Sequence, residues 1–332
     1  MNVHLVAVQA RMHLSNYRSP EAFAAWVLEL SERAVAGLDG APKLLAFPET
    51  IGLPLLLTLE HYAEVSRQTR VTGAALILLR RQWRSILQAA TAHRAFGPQA
   101  VFISRALPAY RAYVAAFSAA ARQTGATIVA GSSFLPQIED EASRGLHIAG
   151  GRVQNVTYTF APSGAVLGRS GKRYLTRGLE SRLGLSRAPA DSLRVLHTPV
   201  GCVGVALCLD GFYSSVLEAL DGSGVDTVVQ PSANYAPWTR RWPPDDSYSE
   251  GEAWLGLGLR AGVRGRQNIR YGVNPMLVGG MFDLRAEGRS SIVANPRFLD
   301  AETEGYSGVV ALAQSYDQEE LVRAEVELPT LR

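Results

Sequence analysis

The stretch of sequence that most clearly suggests chemistry is residues 201–213, where an apolar run ends at Cys208. It reads Gly-Cys-Val-Gly-Val-Ala-Leu-Cys-Leu-Asp-Gly-Phe-Tyr, which predicts a buried strand followed by a glycine-punctuated turn. A turn that leads from a strand into a helix presents a side chain well, and a thiol placed there can act as a nucleophile. The competing interpretation is a small core residue, which is what most free cysteines are. Cys208 alone does not decide between the two.

Two charged residues also follow apolar runs. Glu49 comes directly after a predicted strand over 43–47, and Lys172 opens a loop after a predicted hairpin over 152–169. The carboxyl end of a buried strand is where open α/β sheets bind their ligands, so a carboxylate there can serve as a general base. Each residue has an ordinary alternative as a solvated loop charge, which is the usual state of lysine and glutamate.

The elements that must position these residues alternate along the chain. Residues 3–9 predict a buried strand, residues 20–37 an amphipathic helix, and residues 202–207 the strand that leads to Cys208. Strands that alternate with helices in this way indicate a layered α/β sandwich. Because no linker composition interrupts the pattern, we expect one domain over residues 1–332.

The segment 58–107 departs from this alternation. Within it, residues 74–93 predict one amphipathic helix that carries arginines on one side and, on the other, the large apolar residues Leu76, Leu79, Trp83, Ile86 and Leu87. Such a face favours a lid over a pocket or a contact between subunits, and a helix on a membrane surface is the alternative. Pro108 is predicted to begin the next helix, which ends at Thr124.

Composition argues against several classes of function. The 332 residues carry 33 basic and 30 acidic side chains without a basic stripe, which disfavours a nucleic-acid partner. The six histidines are scattered singly and no phosphate-binding motif is present, so we expect neither a metal nor a cofactor. Cys202 and Cys208 are expected to be free thiols in a reducing compartment. The sequence contains no signal peptide and no membrane span, so we expect a cytoplasmic protein without membrane contact.

Three motifs in a fixed order resemble those of a known family. They are Phe-Pro-Glu ending at Glu49, Gly-Lys-Arg-Tyr-Leu around Lys172 and Val-Ala-Leu-Cys-Leu-Asp around Cys208. Together they look like the nitrilase, or carbon-nitrogen hydrolase, superfamily, and the similarity spans nearly the whole chain. The resemblance implies a four-layer α-β-β-α sandwich. It also implies that Cys208 is the nucleophile, Glu49 the general base and Lys172 the cation that holds the tetrahedral intermediate.

Weaker matches extend the resemblance. They include Asn155 in a middle strand and Pro-Ser-Gly at 162–164 in a hairpin turn. Glu180, eight residues beyond the lysine, matches the position of the family's second glutamate, which helps to position the substrate and the lysine. A surface ion pair with Arg177 or Arg182 is the alternative for this residue.

The resemblance implies hydrolysis of a non-peptide carbon-nitrogen bond, and we expect a linear amide that is cleaved through a thioester. A nitrile or an N-carbamoyl amine as substrate, and a non-catalytic binding or regulatory role, stay open as alternatives. The backbone N–H of Leu209 is expected to help receive the negative oxygen of the intermediate. Further positions expected to face the substrate are Tyr213, Asn234, Tyr235 and Trp238.

Two features depart from the family pattern. Ser214 and Ser215 stand where a Pro-Glu pair is usual, and the segment 58–107 is longer than the family leads us to expect. We therefore expect 58–107 to be an inserted helical segment near the first catalytic residue. The resemblance also implies a homodimer or a higher homo-oligomer.

Overall fold

The computed structural model describes residues 1–176 and 178–329. Its strands are β1 (Asn2–Gln9), β2 (Arg11–Met12), β3 (Lys43–Ala46), β4 (Thr127–Val129), β5 (Ser133–Glu141), β6 (Gly145–Phe160), β7 (Val166–Gly171), β8 (Leu196–Thr198), β9 (Gly201–Val205), β10 (Thr227–Val229), β11 (Tyr271–Asn274), β12 (Val278–Met281), β13 (Leu284–Ala286), β14 (Ser291–Ala294), β15 (Glu302–Thr303), β16 (Tyr306–Ser307), β17 (Val309–Leu312) and β18 (Glu320–Glu327). Its α-helices are α1 (Pro20–Val35), α2 (Leu55–Thr58), α3 (Tyr62–Val65), α4 (Val71–Arg81), α5 (Trp83–His93), α6 (Pro98–Thr124), α7 (Ser214–Gly222), α8 (Glu250–Leu257) and α9 (Leu259–Val263).

The first large sheet is built on the N-terminal strands. β1 pairs in parallel with β3 and β3 with β4, while β18 pairs antiparallel along the other edge of β1. The strand order is β18-β1-β3-β4-β6-β5, and β7 pairs antiparallel with β6. Helix α1 connects β1 to β3, and α2 to α6 lie between β3 and β4. Parallel neighbours need such crossovers, which place the carboxyl ends of the strands at one edge.

The second large sheet has the order β17-β14-β11-β10-β9-β8. Its three central strands, β9, β10 and β11, run parallel. Helix α7 connects β9 to β10, and α8 and α9 lie between β10 and β11. The two sheets therefore use the same kind of connection, and each has its own edge of strand carboxyl ends.

Alternate residues of β1 pack into two different cores. Val3, Leu5 and Ala7 contribute to the core between the two sheets. Val6 and Val8 contribute to the core that contains the buried residues of α1 and α6. Because successive side chains of a strand point to opposite faces, the first sheet has helices on one face and the second sheet on the other.

Helices α7 and α9 cover the outer face of the second sheet. Val216, Leu217 and Leu259 from these helices pack in one cluster with Ala206 and Val228 from the sheet side. The layers therefore run helix, sheet, sheet, helix. The predicted four-layer α-β-β-α sandwich is confirmed.

Two helix boundaries differ from the sequence prediction. The helix predicted over residues 74–93 is two helices, because the chain leaves helical geometry at Gln82 with φ −115° and ψ 16°. Helix α6 begins at Pro98, and Pro108 lies inside it. Proline is tolerated in the first turn of a helix and usually breaks a helix interior. For this reason the sequence predicts that a helix begins at Pro108 rather than passing through it. The long buried face of α6, which extends from Ala100 to Ala121, outweighs that cost.

Polar contacts tie the segment 58–107 together. Arg105 of α6 is 3% exposed, and its Nη1 donates to Glu60 Oε2 at 3.0 Å while its Nη2 donates to Leu59 O at 2.5 Å. Gln82 Nε2, at the break between α4 and α5, donates to the same Glu60 oxygen at 3.2 Å. The Glu60 carboxylate thus joins the start of the segment to the break between α4 and α5 and to α6.

Candidate active site

The predicted catalytic residues follow strands of both sheets. Glu49 follows β3, Lys172 follows β7, and Cys208 follows β9 after two further residues of chain. All three line one cavity of about 580 Å³, and Glu180 lines it as well. The fold therefore brings together the four residues that the sequence motifs singled out.

Cys208 occupies a strained turn. Its φ is +49°, a region that few residues other than glycine, Asn and Asp adopt. The turn is held from both sides, since Cys208 N–H donates to Pro231 O at 2.9 Å and Gln230 Nε2 donates to Cys208 O at 2.6 Å. A Cβ at position 211 would lie 2.3 Å from Gln230 Nε2, so any residue other than Gly211 would displace the side chain that bonds to Cys208 O.

Lys172 sits between two buried carboxylates. Its Nζ lies 2.8 Å from Glu49 Oε1 and 2.9 Å from Glu180 Oε2. Lys172 is 1% exposed, and each glutamate is 3% exposed. A buried charge is tolerated only when it is paired and hydrogen-bonded, so these three groups depend on one another. The alternative of a surface ion pair does not describe Glu180, and Arg177 lies outside the described residues.

The remaining hydrogen bonds of the two carboxylates come from the scaffold. Asn155 Nδ2 donates to Glu49 Oε1 and to Glu180 Oε1, at 2.8 Å in each case. The Ala233 N–H donates to Glu49 Oε2 at 3.1 Å, and the Thr176 N–H donates to Glu180 Oε2 at 2.8 Å. Asn155 thereby fixes the spacing of the two glutamates on either side of the lysine.

Burial and neighbouring charges set the protonation of the site. Burial and the nearby Glu49 carboxylate raise the pKa of the Cys208 thiol well above its usual range, and Lys172 opposes them. Burial lowers the pKa of Lys172, but the Cys208 sulfur and the two glutamates outweigh it and raise the pKa well above its usual range. Burial also raises the pKa of Glu49, against the effect of the lysine charge. These directions favour a neutral thiol at Cys208 and an ammonium at Lys172.

Asp210 holds the loop that carries the lysine. Its carboxylate accepts from the backbone N–H of Arg173 at 3.0 Å and of Tyr174 at 2.7 Å, directly after Lys172. Asp210 is fully buried, and this burial raises its pKa to about 7 although both backbone donors oppose the shift. Asp210, two residues after Cys208, therefore positions the loop that begins at Lys172.

Three of the five predicted substrate-facing residues line the cavity. They are Leu209, Asn234 and Tyr235. The Leu209 N–H finds no acceptor within residues 1–176 and 178–329, which leaves it free to receive an oxyanion. The Tyr235 hydroxyl lies 2.7 Å from Thr50 Oγ1, next to Glu49.

The other two predicted residues lie elsewhere. Tyr213 is not among the lining residues of this cavity; its ring stacks on Tyr174, with the centroids 3.5 Å apart and the planes 5° from parallel. Trp238 lines a separate surface depression, and its backbone N–H donates to Glu287 Oε2 at 2.6 Å. Both residues follow turns, where the direction of a side chain depends on the backbone path rather than on strand alternation.

Several lining residues were not identified from sequence. Phe134, Phe212, Trp242 and Trp254 give the cavity aromatic walls, and Arg240 and Glu250 give it a charged side. No spacing in the sequence marks them, because they come from a strand, a helix and separate loops. Asn155, which the sequence motifs did include, is not among the lining residues and acts on the site through Glu49 and Glu180.

One surface cluster bears on the expectation that no metal is bound. Donor atoms of Glu139, Glu141 and His147 lie within 4.8 Å of one another on the β5–β6 hairpin. His147 Nε2 lies 3.6 Å from Glu141 Oε1. No further group in the described part of the chain points to a ligand there, so we assign no site to it.

Within the described residues, no helix combines the length and apolar character needed to cross a bilayer.

Comparisons with known proteins place this architecture in a family. A search of curated proteins gives no match. Among solved structures, a carbon-nitrogen hydrolase from Helicobacter pylori G27 aligns with 16% identity and a TM-score of 0.60, over 98% of this chain and 88% of that one.

Two further structures have the same fold. Saccharomyces cerevisiae Nit3, a member of branch 10 of the nitrilase superfamily, aligns with 16% identity and a TM-score of 0.58, over 98% of this chain and 89% of its own. An amidase from Nesterenkonia sp. aligns with 15% identity and a TM-score of 0.57, over 98% and 90%. Residues 5–293 match the model of the carbon-nitrogen hydrolase family. This chain therefore belongs to the carbon-nitrogen hydrolase family.

Proposed function

We propose that this protein hydrolyses linear amides through a thioester on Cys208. The observation that carries the proposal is the buried ion cluster of Glu49, Lys172 and Glu180, which lines the same cavity as the thiol. A carboxylate and an ammonium that are buried together cost desolvation energy, and active sites are where such costs recur.

In the first step, Glu49 takes the thiol proton as sulfur attacks the amide carbon. The pKa of Cys208 is raised, so a thiolate is not present beforehand and a base in contact with the thiol is required. Lys172 and the N–H of Leu209 receive the negative charge that develops on the carbonyl oxygen. Donors in comparable sites contribute about 3 kcal/mol each.

In the second step, the tetrahedral intermediate collapses. The carbon-nitrogen bond breaks, and Glu49 returns its proton to the nitrogen, so that a primary amide releases ammonia. Lys172 keeps the Glu49 carboxylate in place throughout, and Glu180 and Asn155 hold Lys172 and Glu49 at a fixed spacing. The acyl group stays on the sulfur as a thioester.

In the third step, water replaces the sulfur. Glu49 accepts a proton from water as the water oxygen attacks the thioester carbon. The carbon-sulfur bond then breaks when this second tetrahedral intermediate collapses. The thiol regains the proton and the carboxylic acid leaves. No further reactant is needed.

Ammonia release from acetamide and propionamide tests the proposal, with nitriles and N-carbamoyl amines measured in parallel. Replacing Cys208 by Ala removes the nucleophile and should lower the rate by about 10⁴-fold or more. Cys202→Ala is the matched control, because this second thiol lies in β9 and outside the cavity. Equal activity of the two variants would remove Cys208 from the mechanism.

Iodoacetamide labelling provides a second measurement that is independent of the substrate. Cys208 should be alkylated faster than Cys202, because Glu49 and the buried ion cluster lie beside Cys208, whereas Cys202 has a single imidazole, His197 Nδ1, 3.5 Å from its sulfur. If Cys208 reacts no faster, and no amide, nitrile or carbamoyl amine is turned over, the hydrolase assignment fails.

A further inference from the structure

A second cavity opens beside the catalytic one. It has a volume of about 520 Å³, and we refer to it as the apolar chamber. Thr50, Phe134, Leu179 and Tyr235 line both the apolar chamber and the catalytic cavity. The two spaces therefore meet at the residue that follows Glu49.

The lining of the apolar chamber offers little to a polar ligand. Of its eighteen lining residues, only Thr50, Thr72, Tyr235 and Asp283 carry polar side-chain groups. Thr50 and Tyr235 are hydrogen-bonded to each other at 2.7 Å, and Asp283 Oδ1 accepts from the Val71 N–H at 2.9 Å. Thr72 is exposed to solvent. A polar group placed in the chamber would lose its hydrogen bonds to water without replacement, whereas an apolar group would gain burial.

The segment 58–107 supplies much of the wall. Eight of the eighteen lining residues belong to it, from α4 and from the start of α6 and the residue before it. The bond from Val71 to Asp283 ties the start of α4 to the turn between β12 and β13. Phe102 of α6 meets Phe134 edge to face, with the ring centroids 5.7 Å apart. The wall is thus fixed at both ends.

The outer end of the apolar chamber continues onto an apolar surface. Leu79 and Gly97 line the chamber and also a shallow depression of about 390 Å³ beside α5. Trp83, Leu87 and Phe96 line this depression and are 55%, 56% and 81% exposed. Apolar side chains therefore line a continuous path from the surface to the catalytic cavity.

The catalytic cavity also has charged residues in its lining, unlike most of the apolar chamber. Arg240 and Glu250 lie there, beside the aromatic walls. The acyl group of an amide stays bound to Cys208 through both halves of the reaction, while the amine leaves after the first. A pocket that binds the acyl group can therefore stabilise the transition states of both halves of the reaction, whereas a pocket for the amine acts only in the first half.

We propose that the apolar chamber binds the acyl chain of the substrate, so that the substrates are amides of medium-chain or bulky apolar carboxylic acids. This inference rests on the proposed amide hydrolysis. The chamber volume falls within the range of small-molecule pockets, which fits one apolar chain rather than a large ligand.

A series of primary amides tests the inference in the unaltered protein. It runs from acetamide through butanamide, hexanamide and octanamide to decanamide, with ammonia release as the readout. Burial of each added methylene should raise kcat/KM about fourfold until the chamber is full. N-octylacetamide, followed by acetate release, carries the same chain on the amine side and should be a poor substrate. A preference for N-octylacetamide over octanamide would overturn the acyl orientation.

A substitution in the chamber gives the second test. Ala75→Phe places a ring in the space lined by α4, and it should lower the ratio of octanamide to acetamide kcat/KM by about tenfold or more, because several methylenes lose their burial. Ala92→Phe is the matched control, since Ala92 is exposed on α5 and lines neither the chamber nor the depression. It should leave the ratio unchanged.

The outcomes separate the inference from the function on which it rests. If acetamide turnover depends on Cys208 but kcat/KM is flat or falls along the series, the acyl chamber is wrong and amide hydrolysis stands. If no amide of any length releases ammonia, both fail. If Ala75→Phe does not fold, the chain-length series in the unaltered protein still decides.

Discussion

Replacement of Lys172 by Met tests whether the ion cluster is held together as the geometry indicates. In the wild-type protein one ammonium lies 2.8 Å and 2.9 Å from two carboxylates that are almost fully buried. Without the ammonium, two carboxylates that are each only 3% exposed, those of Glu49 and Glu180, have no counter-ion between them. Removing one partner of a buried ion pair costs about 3–5 kcal/mol of the free energy of unfolding.

The same substitution should make stability depend on pH. Two buried carboxylates without a counter-ion take up protons, so at least one folded-state pKa rises above its unfolded value. The folded variant then holds a proton that the unfolded chain releases, and its stability falls as pH rises from the unfolded pKa to the folded one, by about 1.4 kcal/mol per pH unit for each group. The loss relative to wild type should therefore be larger at pH 8 than at pH 5.

Urea denaturation of both proteins at pH 5, 6, 7 and 8 measures this difference. Lys43→Met is the matched control, because Lys43 and Lys172 are the only two lysines in the sequence and Lys43 donates to backbone oxygens near the surface. The control should show a small loss that does not change with pH. A loss for Lys172→Met below about 1 kcal/mol at every pH would refute a buried cluster that needs its cation.

Two further predictions concern the turn that carries Cys208. Because burial raises the pKa of Asp210 to about 7, the folded protein keeps a proton that the unfolded chain loses near its ordinary pKa of about 4. Stability should fall by up to about 4 kcal/mol between those pH values. In urea denaturation, the free energy of unfolding should change less with pH for Asp210→Asn than for the wild-type protein. Parallel pH profiles for the two proteins would contradict the assignment. Cys208→Gly should be more stable than Cys208→Ala by about 1 kcal/mol, because glycine adopts φ +49° without strain. Thermal denaturation of the two variants measures this difference, and equal melting temperatures would show that the turn is not strained.

The fold class was predictable because it depends on patterns that are local in sequence. Alternate side chains of β1 enter two different cores, and this period-two alternation between two apolar faces is legible in the sequence. Helix boundaries in the segment 58–107 were less predictable. The break at Gln82 and the passage of α6 through Pro108 depend on contacts with distant residues, such as those that Gln82 and Arg105 make with Glu60.

The candidate catalytic residues were predictable for a related reason. Glu49, Lys172 and Cys208 each lie just beyond a strand, and their order along the chain matches a family pattern. Asn155 was visible as part of the same pattern, but its role was not. A single amide that bridges two carboxylates can be recognised only when the three side chains are placed in space.

The sequence by itself therefore determined which residue types could carry out the chemistry and the layered α/β class, because strand ends and apolar alternation are local properties. Only the tertiary structure decided which side chains share a cavity. It placed Tyr213 and Trp238 outside the catalytic cavity, and it assembled the apolar chamber from residues that lie between Thr50 and Leu284. The physical reason is that side-chain direction after a turn, and contact between distant segments, follow from packing, which no short stretch of sequence encodes.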